Sequence, residues 1–168
     1  MTGAVIRAVP ITSERFAPFG DVIAALPDHK EVMNAARFER FDDLATVDID
    51  AGDGAHTAIS IARSRSMTVL PYCFDLMERH PYGSQAFVPL ARFRFIVVVA
   101  PAGASVEPSD LRAFVTNGQQ GVNYHKGVWH MPLIALEAEQ NFLIVDRAGG
   151  GGNYEEHIFG EPVTLEVD

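Results

Sequence analysis

The sequence predicts an all-β fold, a barrel of short strands with few short helices, on three observations. Nine short runs of β-type residues recur between clusters of turn residues, the pattern of closed all-β architectures. Helical signals are confined to two brief stretches. No apolar segment approaches the ~20 residues that a membrane-spanning helix needs.

Along the chain, Val5–Val9 is the first expected strand, and Thr12 then offers a hydroxyl cap to a short helix through Phe16. Pro27–Gly54 is polar, weakly patterned and rich in Asp and Glu, and reads as a long excursion or a lid. His56–Ala62, Met67–Met77 and Phe87–Leu90 follow as strands. Phe93–Ala100 is the next, and with Arg92 before it is the clearest: Arg92–Ala100 begins with strict alternation and ends continuously apolar, as a strand passing from rim to core would. Pro101-Ala102-Gly103 stops it. Pro108–Leu111 reads as one helical turn and Leu111–Thr116 as a strand. Asn117-Gly118 then supplies the positive-φ residues of a hairpin or bulged corner. Leu133–Leu136, Phe142–Val145 and Val163–Val167 complete the set. Gly149–Gly152 reads as a flexible connection, since glycines without a strand–helix context do not make a phosphate cradle. With no repeat and no dividing linker, residues 1–168 are expected to form one domain.

A formal net charge of −9, with no basic run, argues against nucleic acid, which demands clustered Lys and Arg. Met1–Arg7 lacks the basic, apolar and small-residue sequence of an export signal, so a cytoplasmic protein without membrane attachment is expected. Cys73 is the single cysteine, which excludes an internal disulfide and suits a reducing compartment. Between Tyr72 and Phe74 it reads as a buried thiol.

Two segments concentrate polar and aromatic residues beyond what barrel strands require: 78–87 and 123–132. In an extended strand residues two apart share a face, so Glu78 and His80 are expected together, and a turn through Pro81–Gly83 returns Gln85 and Phe87 beside them. In the second segment Gly127 permits a bend that lets Lys126 and His130 look inward, while His125 points away. Glu78, His80, Gln85, Lys126 and His130 are therefore expected to converge inside the barrel. Imidazole titrates near neutral pH, so His80 or His130, assisted by Glu78, is the candidate base. Lys126 is the candidate anchor for a carboxylate, with the fork of Arg63 as second choice. Tyr124, Trp129 and Phe87 are candidate walls of the pocket. Arg92 and Arg94 are left outside it.

Glu78-x-His80-x-x-x-x-Gln85 is similar to the first cupin motif, and Gly127-Val128-Trp129-His130 to the Gly-x-x-His of the second. More narrowly, Glu78-Arg79-His80-Pro81-x-Gly83-x-Gln85-Ala86-Phe87 and Asn123-Tyr124-His125-x-x-Val128-Trp129-His130 resemble the signature blocks of the ureidoglycolate lyase family. Shorter blocks extend the resemblance: Phe19–Ile23, Leu111–Phe114, Asn117-Gly118-x-Gln120-Gly121 and Phe142-Leu143-x-Val145-Asp146-Arg147. Residues 27–55 and the last dozen match poorly. The resemblance implies a cupin-type double-stranded β-helix, or jelly-roll barrel. It also implies a homodimer and cleavage of ureidoglycolate to glyoxylate and urea in allantoin and purine breakdown. Metal-binding cupins usually bring three histidines and a glutamate; here Glu78 replaces the first histidine and Gln85 the glutamate. Glu78, His80 and His130 remain as candidate ligands for a divalent metal, and the resemblance implies nickel. Two other functions fit the same residues. One is a non-catalytic cupin that binds a small organic acid; the other is a metal-dependent cupin oxygenase or isomerase.

Overall fold

The β-type runs become fourteen strands in the computed structural model, which describes residues 3–167. Met1, Thr2 and Asp168, the ends of the expected domain and the start of the N-terminal reading, lie outside the described residues. In order, the first elements are β1 (Val5–Pro10), α1 (Ser13–Phe16), β2 (Gly20–Ile23), β3 (Lys30–Met33) and β4 (Phe38–Phe41). Then come β5 (His56–Arg63), β6 (Tyr72–Arg79), β7 (Gln85–Pro89), β8 (Phe95–Ala100) and β9 (Arg112–Val115). The last are β10 (Gly121–Tyr124), β11 (Trp129–His130), β12 (Ile134–Ala135), β13 (Asn141–Ala148) and β14 (Glu155–Val167). The α1 helix is capped as expected, Thr12 Oγ1 accepting from the Arg15 N–H.

Strands β11, β6, β14, β1, β9 and β8 pair in that order, and β11 pairs again with β8, which closes a ring. Closure removes the unpaired edges that an open sheet exposes. A second sheet, β2-β10-β7-β13-β5, packs over β8 and β9 of the ring. The result is the cupin-type β-barrel that the motifs imply.

The six residues of β8 are all buried because both of its faces meet apolar side chains. Ile96, Val98 and Ala100 join Met77, Ala113, Trp129 and Leu165 in a cluster drawn from every strand of the ring. Phe95, Val97 and Val99 join Phe16, Val122 and Phe142 between the ring and the second sheet. This double burial, and not a passage from rim to core, accounts for the continuous apolar run. Each such Val, Ile or Phe side chain contributes about 1.5–3 kcal/mol by leaving water.

Strand β6 starts at Tyr72, five residues later than expected, because Pro71 has no N–H to give a ladder. Phe74 and Met77, three apart, both reach the core, on either side of the point where the register of β14 against β6 shifts between Ile158 and Val163. Cys73 is exposed, not buried: it shares the outward face of β6 with Asp75 while Phe74 turns in. Gly118, at φ +97, lies between a ring strand and a second-sheet strand, so Asn117-Gly118 turns a corner between sheets. The polar excursion holds the β3–β4 hairpin and then a strandless run through residue 55, bridged once to the barrel at Ile49 and Gly83. Among the described residues no helix is long and apolar enough to cross a membrane.

Candidate active site

Because Met77 and Trp129 point into the ring, their neighbours Glu78 and His130 point the opposite way, toward the second sheet. The two are directly paired across β6 and β11. The His130 Nε2 lies 3.6 Å from Glu78 Oε1, an ion-pair distance longer than a hydrogen bond. His80 follows two residues after Glu78 on the same face, its ring 5.2 Å from that of His130. One potential ligand atom from each of Glu78, His80 and His130 falls within 4.8 Å of the others.

Backbone carbonyls orient both imidazoles. The His80 Nδ1–H donates to Asn153 O at 2.7 Å and the His130 Nδ1–H to Val128 O at 3.0 Å, so in each ring Nε2 is the nitrogen left free of the backbone. Tyr124 stacks on His130 with centroids 4.4 Å apart. Burial, reinforced by the neighbouring His130 imidazole, holds His80 below the usual histidine range, so it is neutral at pH 7. Burial alone would raise the Glu78 carboxyl. The pull of His130, His80 and Tyr154 outweighs it, and Glu78 stays below the usual carboxylate range.

Glu78 and His80 open onto a cleft of about 320 Å³ lined also by Arg63, Gln85, Phe87 and Phe142, among others, while His130 is buried behind them and is not among the lining residues. Gln85 Nε2–H donates to Asp146 Oδ2 at 3.0 Å, which leaves its carbonyl oxygen as an acceptor. Arg63, expected second as an anchor, is the cation that lines the cleft. Lys126, expected first, is not among the lining residues, and its ammonium is taken by Asp48 at 2.9 Å and Asp50 at 2.5 Å. Hydrogen bonds to Asp50 and Asp48 hold it above the usual lysine range. Trp129 is not in the cleft wall either. It points into the ring, with the Arg79 guanidinium 4.8 Å from its ring and its Nε1–H donating to Gly103 O. Tyr124 is buried behind His130 and does not line the cleft. His125 turns away, as expected, to Asp21.

A ureidoglycolate lyase family model matches residues 3–166. The chain belongs to the ureidoglycolate lyase family. Among relatives named ureidoglycolate lyase, that of Burkholderia cepacia is 50% identical over 153 residues, covering 90% of this chain and 85% of its own. That of Pseudomonas syringae pv. tomato is 46% identical over 159 residues, 95% and 92% of the two chains. That of Pseudomonas aeruginosa PAO1 is 45% identical over 163 residues, 97% and 95%. The family match runs through the excursion at 27–55, where the sequence blocks are weakest.

In this ureidoglycolate lyase family member the donor set suits a divalent ion. Two imidazole nitrogens and a carboxylate are ligands that transition metals accept, and His130 Nε2 is buried with no hydrogen-bond partner, a cost that a ligand would offset. Reading the sequence missed several groups around the site. Asn153 fixes His80 through its carbonyl, and Asp146 holds Gln85. The Tyr154 hydroxyl donates to Glu156 at 2.9 Å, and its ring lies 5.9 Å from that of His80. Glu156 is the cross-strand partner of Glu78. For Asn153, Tyr154 and Glu156 the one signal in sequence is the glycine run before them, which says the chain turns but not where it lands; Asp146 lies ahead of that run, in the Phe142–Arg147 block.

Proposed function

We propose that this chain is a ureidoglycolate lyase, a carbon–nitrogen lyase that splits ureidoglycolate into glyoxylate and urea in allantoin and purine catabolism. Family membership names the substrate; the observation that carries the chemistry is the neutral His80, its Nε2 free, beside the ionised Glu78.

The substrate carbon bears a carboxylate, a hydroxyl and a ureido nitrogen. The Arg63 guanidinium, at the cleft wall, pairs with the carboxylate. The Gln85 carbonyl accepts from the ureido N–H groups. His80 Nε2 takes the hydroxyl proton, and the oxygen's electron pair forms the new carbonyl as the carbon–nitrogen bond breaks. That bond's electrons stay on nitrogen, which takes the proton back from His80. Glu78 stabilises the transient imidazolium by its charge. In the alternative arrangement Glu78, His80 and His130 would hold a divalent metal, nickel by family resemblance, and such an ion would acidify the substrate hydroxyl in place of the His80 base, since Nε2 is the one ring nitrogen not bonded to Asn153 and cannot both ligate and take the proton.

The whole chain, in this reading, is one catalytic domain working in the cytoplasm as a homodimer. Ile59 and Ile61, exposed by 73% and 57% on the edge strand β5, are the surface that a partner subunit would cover. The deciding experiment incubates purified protein with ureidoglycolate and assays urea, ammonia and glyoxylate separately. Urea and glyoxylate without ammonia is the expected result. Ammonia release would make the protein a hydrolase and overturn the reading, and absence of turnover in nickel-supplemented protein would leave a binding module.

A further inference from the structure

The run from residue 46 to 52, between the β3–β4 hairpin and β5, is tied along its length to the turn that joins β6 to β7. The Asp48 N–H donates to Ser84 Oγ, the Ser84 N–H to Asp48 O, and the Asp50 N–H to Tyr82 O, at 2.8–2.9 Å. Ile49 bridges to Gly83, where an added Cβ would lie 2.7 Å from that of Arg147 and 3.3 Å from Ile49 Cδ1. Arg147 Nε donates to Asp50 O. The Asn123 amide donates to Thr46 O. This turn separates Glu78 and His80 from Gln85.

Lys126 joins the same run from the other side, through its pairs with Asp48 and Asp50. The next residue, Gly127, at φ +74, donates its N–H to His80 O at 2.9 Å. One end of this linkage is therefore the backbone of His80 itself.

We propose that residues 46–52 are a strap, and that Asp48, Asp50 and Lys126 are positioning residues that set His80 and Gln85 for catalysis. The strap acts through the Gly127–His80 hydrogen bond and the 82–84 turn, and Lys126 is a buckle, not a substrate anchor. Ion pairs with aspartates this exposed add little to global stability, so their effect is local geometry. Misplacing a reacting group by about 1 Å costs up to about a hundredfold in rate. The proposal rests on His80 being the base.

The test compares Lys126→Met, Asp48→Asn/Asp50→Asn and Lys126→Arg. Both disrupting variants are expected to lower kcat about tenfold or more, with KM changed less than about twofold, and Lys126→Arg to restore most of the rate. Hydrogen exchange, measured without substrate, should show the Gly127 and Ser84 amides exchanging about tenfold faster in both disrupting variants while amides of β8 stay unchanged. A raised KM with normal kcat in Lys126→Met, absent from the aspartate pair, would overturn the proposal in favour of a substrate contact. Unchanged exchange at Gly127 and Ser84 would overturn it whatever the rates. If ureidoglycolate is not turned over by the unaltered protein, the functional reading fails while the exchange result still decides the strap. Should Lys126→Met fail to fold, the aspartate variant alone decides, since it leaves the lysine in place.

Discussion

Replacing His80 by Asn isolates the proton-transfer nitrogen from the rest of the side chain. The Nδ1–H of His80 donates to Asn153 O at 2.7 Å, and an Asn amide N–H can make the same bond, while nothing in Asn replaces Nε2. The hydrogen bond is worth about 0.5–1.5 kcal/mol net, and because it is kept, stability should change by less than that. For a chain of this size that is a Tm shift of no more than about 6 °C. Turnover is a different matter. Losing a general base costs about 10²- to 10⁴-fold, or about 2.7–5.4 kcal/mol of transition-state stabilisation. The assay is urea release at saturating substrate from pH 5 to 9, alongside nickel content and thermal unfolding. The expected result is a kcat lower by at least about a hundredfold, with the acidic limb of the pH–rate profile flattened and nickel content retained. A parallel loss of nickel would make His80 primarily a ligand. Near-normal turnover with the unaltered pH dependence would refute the assignment and move the base to His130.

Other outcomes follow from the same geometry. Metal-free protein should lose stability as pH falls, because the His80 and Glu78 shifts run the same way. The unfolded chain protonates His80 below about 6.5 and Glu78 below about 4.5, while the folded chain resists both, so stability is shed from pH 6.5 downward and again through Glu78's lowered value. Urea unfolding at pH 7, 5.5 and 4 measures it, and equal stability at pH 7 and 5.5 would contradict the His80 part. Arg63→Met should raise KM for ureidoglycolate about tenfold or more with kcat little changed; an unchanged KM would exclude Arg63 as the carboxylate anchor. Gly20→Ala should prevent normal folding or cost several kcal/mol, since its Cβ would sit 1.9 Å from Asn123 O, a backbone atom of β10; a normal melting curve would refute that packing. Ile59→Glu should convert a dimer to an 18.3 kDa monomer by light scattering, and a persistent dimer would place the interface elsewhere.

Much of the chemistry was legible in the sequence because it lies in two short stretches. Glu78 and His80 share a face by strand periodicity, and the turn at Pro81–Gly83 brings Gln85 back beside them, as local rules require. The β-type runs, the capped helix at Thr12 and the corner at Asn117-Gly118 were readable for the same reason: each depends on residues within a few positions of one another. Strand ends and exposures were less so. Cys73 faces outward on β6 while Phe74 takes the core position beside it, and β8 is apolar throughout because a second sheet covers it.

Where a side chain's partner is distant in sequence, only the folded chain decided. Lys126 looked like an anchor because an inward lysine in an acidic protein has few rivals, yet Asp48 and Asp50, more than seventy residues before it, claim its charge. Trp129 and His130 are adjacent in sequence and opposite in role, since β11 turns one into the ring and the other to the site. Asn153, Asp146 and Glu156 carry no local mark of their function. Composition and short-range spacing determine which groups are available and which face they share; pairing between strands far apart in the chain determines which of them meet, because that contact exists only once loop closure has been offset by the burial of both sheets.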